Sequence, residues 1–224
     1  MKIVKFDKNS PEWLEFKRTK IGGSRSKASK PLTRGEDRTP ELFWTLVGEA
    51  LTNPSDDKAS MKRGHSLEAE GIRRLSEMVG LEFDDNPGVW VSDDDESLIL
   101  SPDGAQPGDK PTYSAEIKSL GEGKHFKYLY KIRHHEGKAI DAVPDESKAA
   151  FKEQCVQYFT VNPDLLVHFF GLYNPDAIHE DQQIVVLKIE RHEVIDLVND
   201  QLTSQLQLIK QVKTVIDDLV GDKF

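Results

Sequence analysis

Between residues 88 and 118 the apolar positions stop recurring at helical spacing and fall into short runs, and this change of period is what most limits the fold. Residues 88–91, 98–100 and 113–118 read as strands, joined by turns at Asp93-Asp94-Asp95 and Pro107-Gly108-Asp109. Helical patterns flank them. Residues 40–51 read as a helix with Pro40 suited to its first turn, and residues 65–79 as another with Ile72, Leu75 and Val79 on one face. Residues 146–160 return to helix; 165–172 and 183–190 read as two further strands around an Asn174-Pro175-Asp176 turn. A last long helix carries the stripe Ile195, Val198, Leu202, Leu206, Ile209, Val212, Ile216 and Leu219. That order implies an α/β (α+β) class with a central mixed sheet flanked by helices.

A chain of 224 residues suits one large domain, residues 1–224, better than two. No run of about 18 apolar residues could span a bilayer, and the N-terminus lacks the apolar core of a signal peptide. The single cysteine, Cys155, cannot close an internal disulfide or ligate an iron–sulfur cluster alone. These features point to a reducing cytosol. The net charge of −9 argues at first against a nucleic-acid partner, but its distribution does not. Residues 17–34 carry +7 and residues 124–138 carry +4, which leaves −20 on the rest of the chain. Phe126, Tyr128 and Tyr130 interleave with the second basic stretch. Such a layout can confine a polyanion to one channel, although two solvated basic loops give the same count.

The chemistry concentrates at Ser101-Pro102-Asp103-Gly104 and, thirteen residues after Asp103, at Glu116-Ile117-Lys118. Alternation along a strand puts Glu116 and Lys118 on one face and Ile117 on the other. A hairpin through residues 107–111 brings Asp103 to Glu116. Two carboxylates with open positions suit Mg²⁺, a hard ion that keeps much of its hydration shell. A neighbouring lysine can orient a metal-bound water, or deprotonate it if its own pKa is lowered, for attack on a phosphodiester. A surface salt bridge beside a turn has the same pattern. Glu68 bears on that choice, because it lies four, seven and eleven residues before Ile72, Leu75 and Val79 and so on the buried stripe of its helix. A carboxylate there needs a cation. Gln154 and Tyr158, one turn apart, can reach a phosphate or a metal-bound water from a third element. Among the other candidates, His168 reads as a core residue, Cys155 as a small buried one, and His134 and His135 as solvent-exposed.

Taken in order, these segments resemble the phage lambda exonuclease family (YqaJ-type viral recombinases) of the PD-(D/E)xK nuclease superfamily. The matching stretches are Trp13 to Ser24, Gly64-His65-Ser66-Leu67-Glu68, Ser101 to Gly104, Glu116 to Lys118, and Gln154 to Tyr158. The resemblance implies a restriction-endonuclease-like core over about residues 11–190, followed by a C-terminal helix over about 192–220. It implies Mg²⁺, with Mn²⁺ as a substitute, held by Asp103, Glu116 and the backbone carbonyl of Ile117. Lys118 would handle the water, with Glu68, Gln154 and Tyr158 completing the site. A pocket for the 5′-terminal phosphate would use Ser24 and Ser101, with Lys17 and Lys124 where the family has arginines and Arg18 as a neighbouring substitute. A lysine is a point charge rather than a bidentate fork, so that pocket departs from the pattern. The activity implied is 5′-to-3′ digestion of one strand of linear duplex DNA, leaving 3′ overhangs for recombination. A homotrimer, a single-strand annealing protein as partner, and a phage or prophage origin in a bacterial cytoplasm go with it. Rival readings are a site-specific endonuclease with the same core and a catalytically inert DNA-binding protein, and retention of Asp103, Glu116 and Lys118 weighs against the latter. Residues 125–145 are expected to form a mobile DNA-facing lid.

Overall fold

The computed structural model describes residues 1–8, 10–31, 40, 42–51, 65–120, 122–146 and 149–221, so Arg34 and Gly64 lie outside the described residues. Strand β1 (Lys2–Val4) pairs antiparallel with β2 (Val89–Val91), and β2 with β3 (Ile99–Leu100). The chain then leaves this sheet at Ser101 and enters a second one at β4 (Gly104–Ala105). There β4 runs antiparallel to β5 (Tyr113–Lys118), β5 runs parallel to β8 (Val167–Tyr173), and β8 antiparallel to β9 (Ile184–Glu190). The mixed sheet expected from the sequence is therefore present, and Asp103 sits in the step between the two sheets.

Helices cover both faces. Helix α1 (Pro11–Lys17) starts at Ser10, whose hydroxyl accepts from the Trp13 amide at 3.1 Å. Helix α2 (Leu42–Leu51) packs on the final helix, and α3 (His65–Val79) lays Ile72 and Leu75 against Ile117 and Tyr173 of the sheet. On the opposite face lies α6 (Phe151–Val161), with Trp90, Leu100, Tyr158, Phe159 and Phe170 in the largest core cluster. The crossover that a parallel β5–β8 pair requires is made by α4 (Glu122–Arg133), α5 (Ala139–Ala142) and α6. A short turn, α7 (Glu180–Gln183), precedes β9, and α8 (Arg191–Gly221) closes the fold against α2 and α6.

The structure departs from the sequence-based expectations at three places. The helix expected over 146–160 begins only at Phe151, because residues 145–146 and 149–150 pair as a small ladder, β6 and β7 (Asp145–Glu146 and Ala149–Ala150). That stretch follows Pro144 and is polar, and Phe151 is the first ring with a partner to pack on, Phe170 at 5.8 Å. The buried face of α8 also differs from its apolar stripe. Ile195 and Leu219 are exposed, whereas Gln201 and Gln205 are buried, each donating to Gln157 Oε1 at 2.7 Å. A hydrogen-bonded amide cluster takes positions that apolar spacing assigns elsewhere. Third, residues 125–145 are not a loose lid: Tyr128, Leu129, Ile140 and Val143 are buried in the main cluster.

Ile117 is wedged between α3 and β8. A Cβ on Gly71 would stand 2.7 Å from Ile117 Cγ2, and one on Gly171 2.6 Å from its Cδ1. Gly71→Ala should therefore destabilise the protein by about 1–3 kcal/mol from overpacking, which exceeds the roughly 1 kcal/mol that alanine gains over glycine inside a helix. Urea unfolding checks the sign; a stabilised variant would mean the helix moves freely away from the sheet.

Candidate active site

Hairpin register creates the site. Gly104 pairs with Ala115, so one step outward Asp103 faces Glu116 across β4 and β5. Asp103 is held by its Oδ2, which accepts the Ile117 backbone N–H at 3.0 Å. Glu116 is 2% exposed. Its carboxylate accepts from Lys118 Nζ, from Gln154 Nε2 at 2.6 Å, and from the Tyr158 hydroxyl. Gln154 and Tyr158 reach it from consecutive turns of α6, as their spacing implied. Tyr158 is fixed in turn by a stack on His168, with ring centroids 3.9 Å apart.

The electrostatics show how crowded this negative pair is. Burial first, and then the charge of Glu116, push the Asp103 carboxyl up to about 7, against the opposing pull of Lys118 and Lys8. Burial works against the Lys118 ammonium, but Glu116 and Asp103 outweigh it and hold the lysine charged. Lys118 thus stands as a charged donor to Glu116. Burial keeps His168 neutral, down at about 3, with the charge of Lys118 acting in the same sense. Its Nδ1 meets the Ser114 hydroxyl at 3.0 Å, while its Nε2 has no hydrogen-bond partner.

Glu68 does have the cation its position requires, and it is Lys8, a residue that sequence reasoning missed. Lys8 Nζ lies 2.9 Å from Glu68 Oε2 and 3.2 Å from Asp103 Oδ1, so one ammonium links α3 to the step between the sheets. No motif marks Lys8; the only available signal was that Glu68 needed a partner. Burial opposes the Lys8 charge, yet Asp103 and Glu68 raise its pKa overall, so its contribution is fully present at neutral pH and is lost only in strong alkali. Lys8→Met should lower the melting temperature in EDTA by an amount equivalent to roughly 1–2 kcal/mol, discounted for partial exposure. An unchanged melting temperature would show the bridge to be energetically idle.

The proposed phosphate residues gather only in part. Lys17, at the end of α1, is pushed down to about 8 by burial and by the charge of Lys8, with Glu116 and Asp103 among the charges it feels. Its Nζ lies 3.8 Å from the Trp13 ring centroid. Ser101 lines one small cavity with Lys8, Trp13 and Pro102, which brings it to the same group. Ser24 is exposed on the 3₁₀ turn Gly23–Arg25, beside α6: a Cβ on Gly23 would come within 3.1 Å of Gln154 Cγ. Arg18 pairs with Glu15 at 3.8 Å, back along α1, and Lys124 is exposed on the first turn of α4. Sequence reasoning also missed the brace on this loop. The Glu49 carboxylate of α2 accepts from the two terminal guanidinium nitrogens of Arg25, at 2.9 and 2.7 Å, and from the Thr19 amide at 3.0 Å. Thr19 is the chain's positive-φ non-glycine residue among those described, at 61°, a costly conformation for a β-branched side chain.

Among the described residues no three His, Cys, Asp or Glu side chains close on one metal position. Asp103 and Glu116 nevertheless form an undercompensated buried pair, and one or two carboxylates with water filling the remaining positions is the donor set of Mg²⁺.

The sequence matches the YqaJ-like viral recombinase domain family over residues 12–161. Among curated proteins none matches it. The fold is similar to that of an alkaline exonuclease (LHK-Exo) from Laribacter hongkongensis, in the structure described by that name and in the complex with dAMP. Both are 20% identical, cover 95% of this chain and 99% of theirs, and give TM-scores of 0.69 and 0.68. It is also similar to a phage related exonuclease from Haemophilus somnus 129PT, at 14% identity, with 89% of this chain and 97% of that one covered and a TM-score of 0.59. At such identities the structures speak for the fold alone, a mixed sheet flanked by helices. The family match spans Lys17, Glu68, Asp103, Glu116, Lys118 and Tyr158 alike, and the chain belongs to the YqaJ-like viral recombinase family.

Proposed function

We propose that the chain is a magnesium-dependent exonuclease that enters linear duplex DNA at a 5′ end, removes one strand and leaves a 3′ overhang. The observation that carries this reading is the buried Asp103–Glu116 pair, with Lys118 bonded to it and Lys17 within range of its charge. The names of the similar structures, exonucleases all, support the same reading.

Asp103, Glu116 and the Ile117 carbonyl are the groups that would hold the ion. When bound, Mg²⁺, or Mn²⁺ in its place, supplies Lewis-acid stabilisation and a more acidic water. The protein does the rest. Gln154 and Tyr158 fix the Glu116 carboxylate in one orientation, and the Ile117 amide fixes Asp103. Lys118 donates to the attacking water or to the scissile phosphate. Lys17, Ser24 and Ser101 receive the 5′ phosphate, with Arg18 and Lys124 as further positive charge along the strand, and Glu68 holds Lys8 beside the pair.

The reading extends to a ring-shaped trimer acting with a single-strand annealing protein in a bacterial cytoplasm; among the described residues no helix is long and apolar enough to cross a membrane. The test is incubation with Mg²⁺ and end-labelled linear duplex, with and without 5′ phosphate, beside covalently closed circles. Progressive loss of the 5′-phosphorylated strand is expected. Discrete fragments from closed circles would replace the exonuclease by an endonuclease, and no digestion at all would overturn the enzyme reading.

A further inference from the structure

Helix α4 presents an unusual surface for a chain with a net charge of −9. After Glu122, which opens it, no acidic residue occurs until Glu136, beyond its end at Arg133. One face is spent on the fold: His125, Tyr128 and Leu129 are buried, and His125 Nε2 meets the Gln182 carbonyl at 2.8 Å. The opposite face is left largely to solvent, yet it carries Phe126, 41% exposed, and Tyr130, 66% exposed, one turn apart. His134 continues the row another turn on, its ring stacked on Tyr130 at 4.2 Å and an interplanar angle of 30°. Lys127 and Lys131 run along one edge of the row, their ammonium groups 5.1 and 5.6 Å from the centroid of the buried Tyr128. Arg133 clamps the far end to Asp181 at 3.2 Å, so the platform is fixed to the body.

Three rings in a row beside a line of lysines, with no acid among them, have the chemistry of a surface on which bases stack while the backbone follows the positive charge. A duplex hides its base faces and cannot use such rings; a single strand can. The position fits, because Gly123 is the fifth residue after Lys118, which puts the first turn of α4 within about 18 Å of Lys118.

We propose that the exposed face of α4 is a stacking platform for single-stranded DNA, which seats the strand left behind as its complement is digested. The identity of that strand rests on the exonuclease reading; the affinity for unpaired bases does not.

The test measures fluorescence anisotropy of a labelled oligothymidylate and of an abasic oligonucleotide of equal length, in EDTA so that nothing is cut. Phe126→Ala/Tyr130→Ala is expected to weaken oligothymidylate binding about tenfold or more while leaving the abasic strand nearly unaffected. Tyr130→Phe, which keeps a ring, is expected to bind like the unaltered protein, and circular dichroism confirms that α4 is intact. Equal losses on both strands, or no loss on either, would overturn the platform. So would a change in sedimentation mass at constant affinity, which would make the face a contact between copies of the chain. Digestion of linear duplex with Mg²⁺ is scored separately. If the unaltered protein digests nothing, the exonuclease reading fails, and the anisotropy ratio still decides the platform.

Discussion

Asp103→Asn is expected to reduce DNA digestion by roughly 10³-fold or more and, in the same protein, to raise the melting temperature measured in EDTA. Loss of activity follows from removing one of the two carboxylates that face each other across β4 and β5. The gain in stability follows from the direction of the Asp103 shift. Its carboxyl ionises at a higher pH in the folded chain than in the unfolded one, because burial and Glu116 oppose the charge. The contribution of the group is therefore fully present below about pH 4, the ordinary aspartate range. It is lost as pH rises toward the folded value of about 7. Above that value the ionised form costs the fold on the order of 1–3 kcal/mol, and asparagine, which is neutral at every pH, relieves it. Melting curves at pH 5 and pH 8 separate the cases: the variant should gain most at pH 8. Added Mg²⁺ should reverse the order, stabilising the unaltered protein and leaving the variant behind. A variant less stable than the parent at pH 8 in EDTA would refute the electrostatic account of the pair.

The neighbouring carboxylate is expected to behave in the opposite way. Glu116→Ala leaves the half-buried Lys118 Nζ and Gln154 Nε2 and the buried Tyr158 hydroxyl without their shared acceptor. Removing one partner of a buried charged pair while the other remains costs about 3–5 kcal/mol. Activity and stability should fall together, and chemical denaturation reads the second without reference to the first. Glu116→Gln is the informative control: it preserves volume and one acceptor oxygen, so it should recover part of the stability and none of the activity. If Glu116→Ala were as stable as the parent, the three donors would have to find other partners, and the cluster would not be the rigid unit described.

How much of this was legible in the sequence follows from the range of each signal. The hairpin that joins Asp103 to Glu116 is local, and its turn residues and alternation announce it within fifteen residues. Gln154 and Tyr158 were legible as a helical pair, though their shared target, Glu116, was not. Lys8 was invisible because its partners are 60 and 95 residues away and a lone lysine in a charged N-terminus has no pattern. The Arg25–Glu49 brace was hidden for the same reason. The face of α8 was misjudged at Ile195 and Leu219 because periodicity measures apolar residues, and the buried centre of that helix is partly amide. The fold of the 125–145 segment was underestimated because its basic residues are conspicuous and its anchors, Tyr128, Leu129, Ile140 and Val143, are spaced across two helices and a turn.

The parallel pairing of β5 with β8 also sets a timetable. Synthesis proceeds from the N-terminus at about 5–20 residues per second, so Lys8, Glu68, Asp103, Glu116 and Lys118 all leave the ribosome before α6 exists. Until Gln154, Tyr158 and the strand Val167–Tyr173 emerge, β5 has no inner neighbour and Glu116 lacks two of its three donors. A growing chain thus carries every charged group of the site for several seconds without the framework that aligns them. The proposed site is therefore assembled only after the chain has been made as far as Tyr173, a delay set by strand order alone.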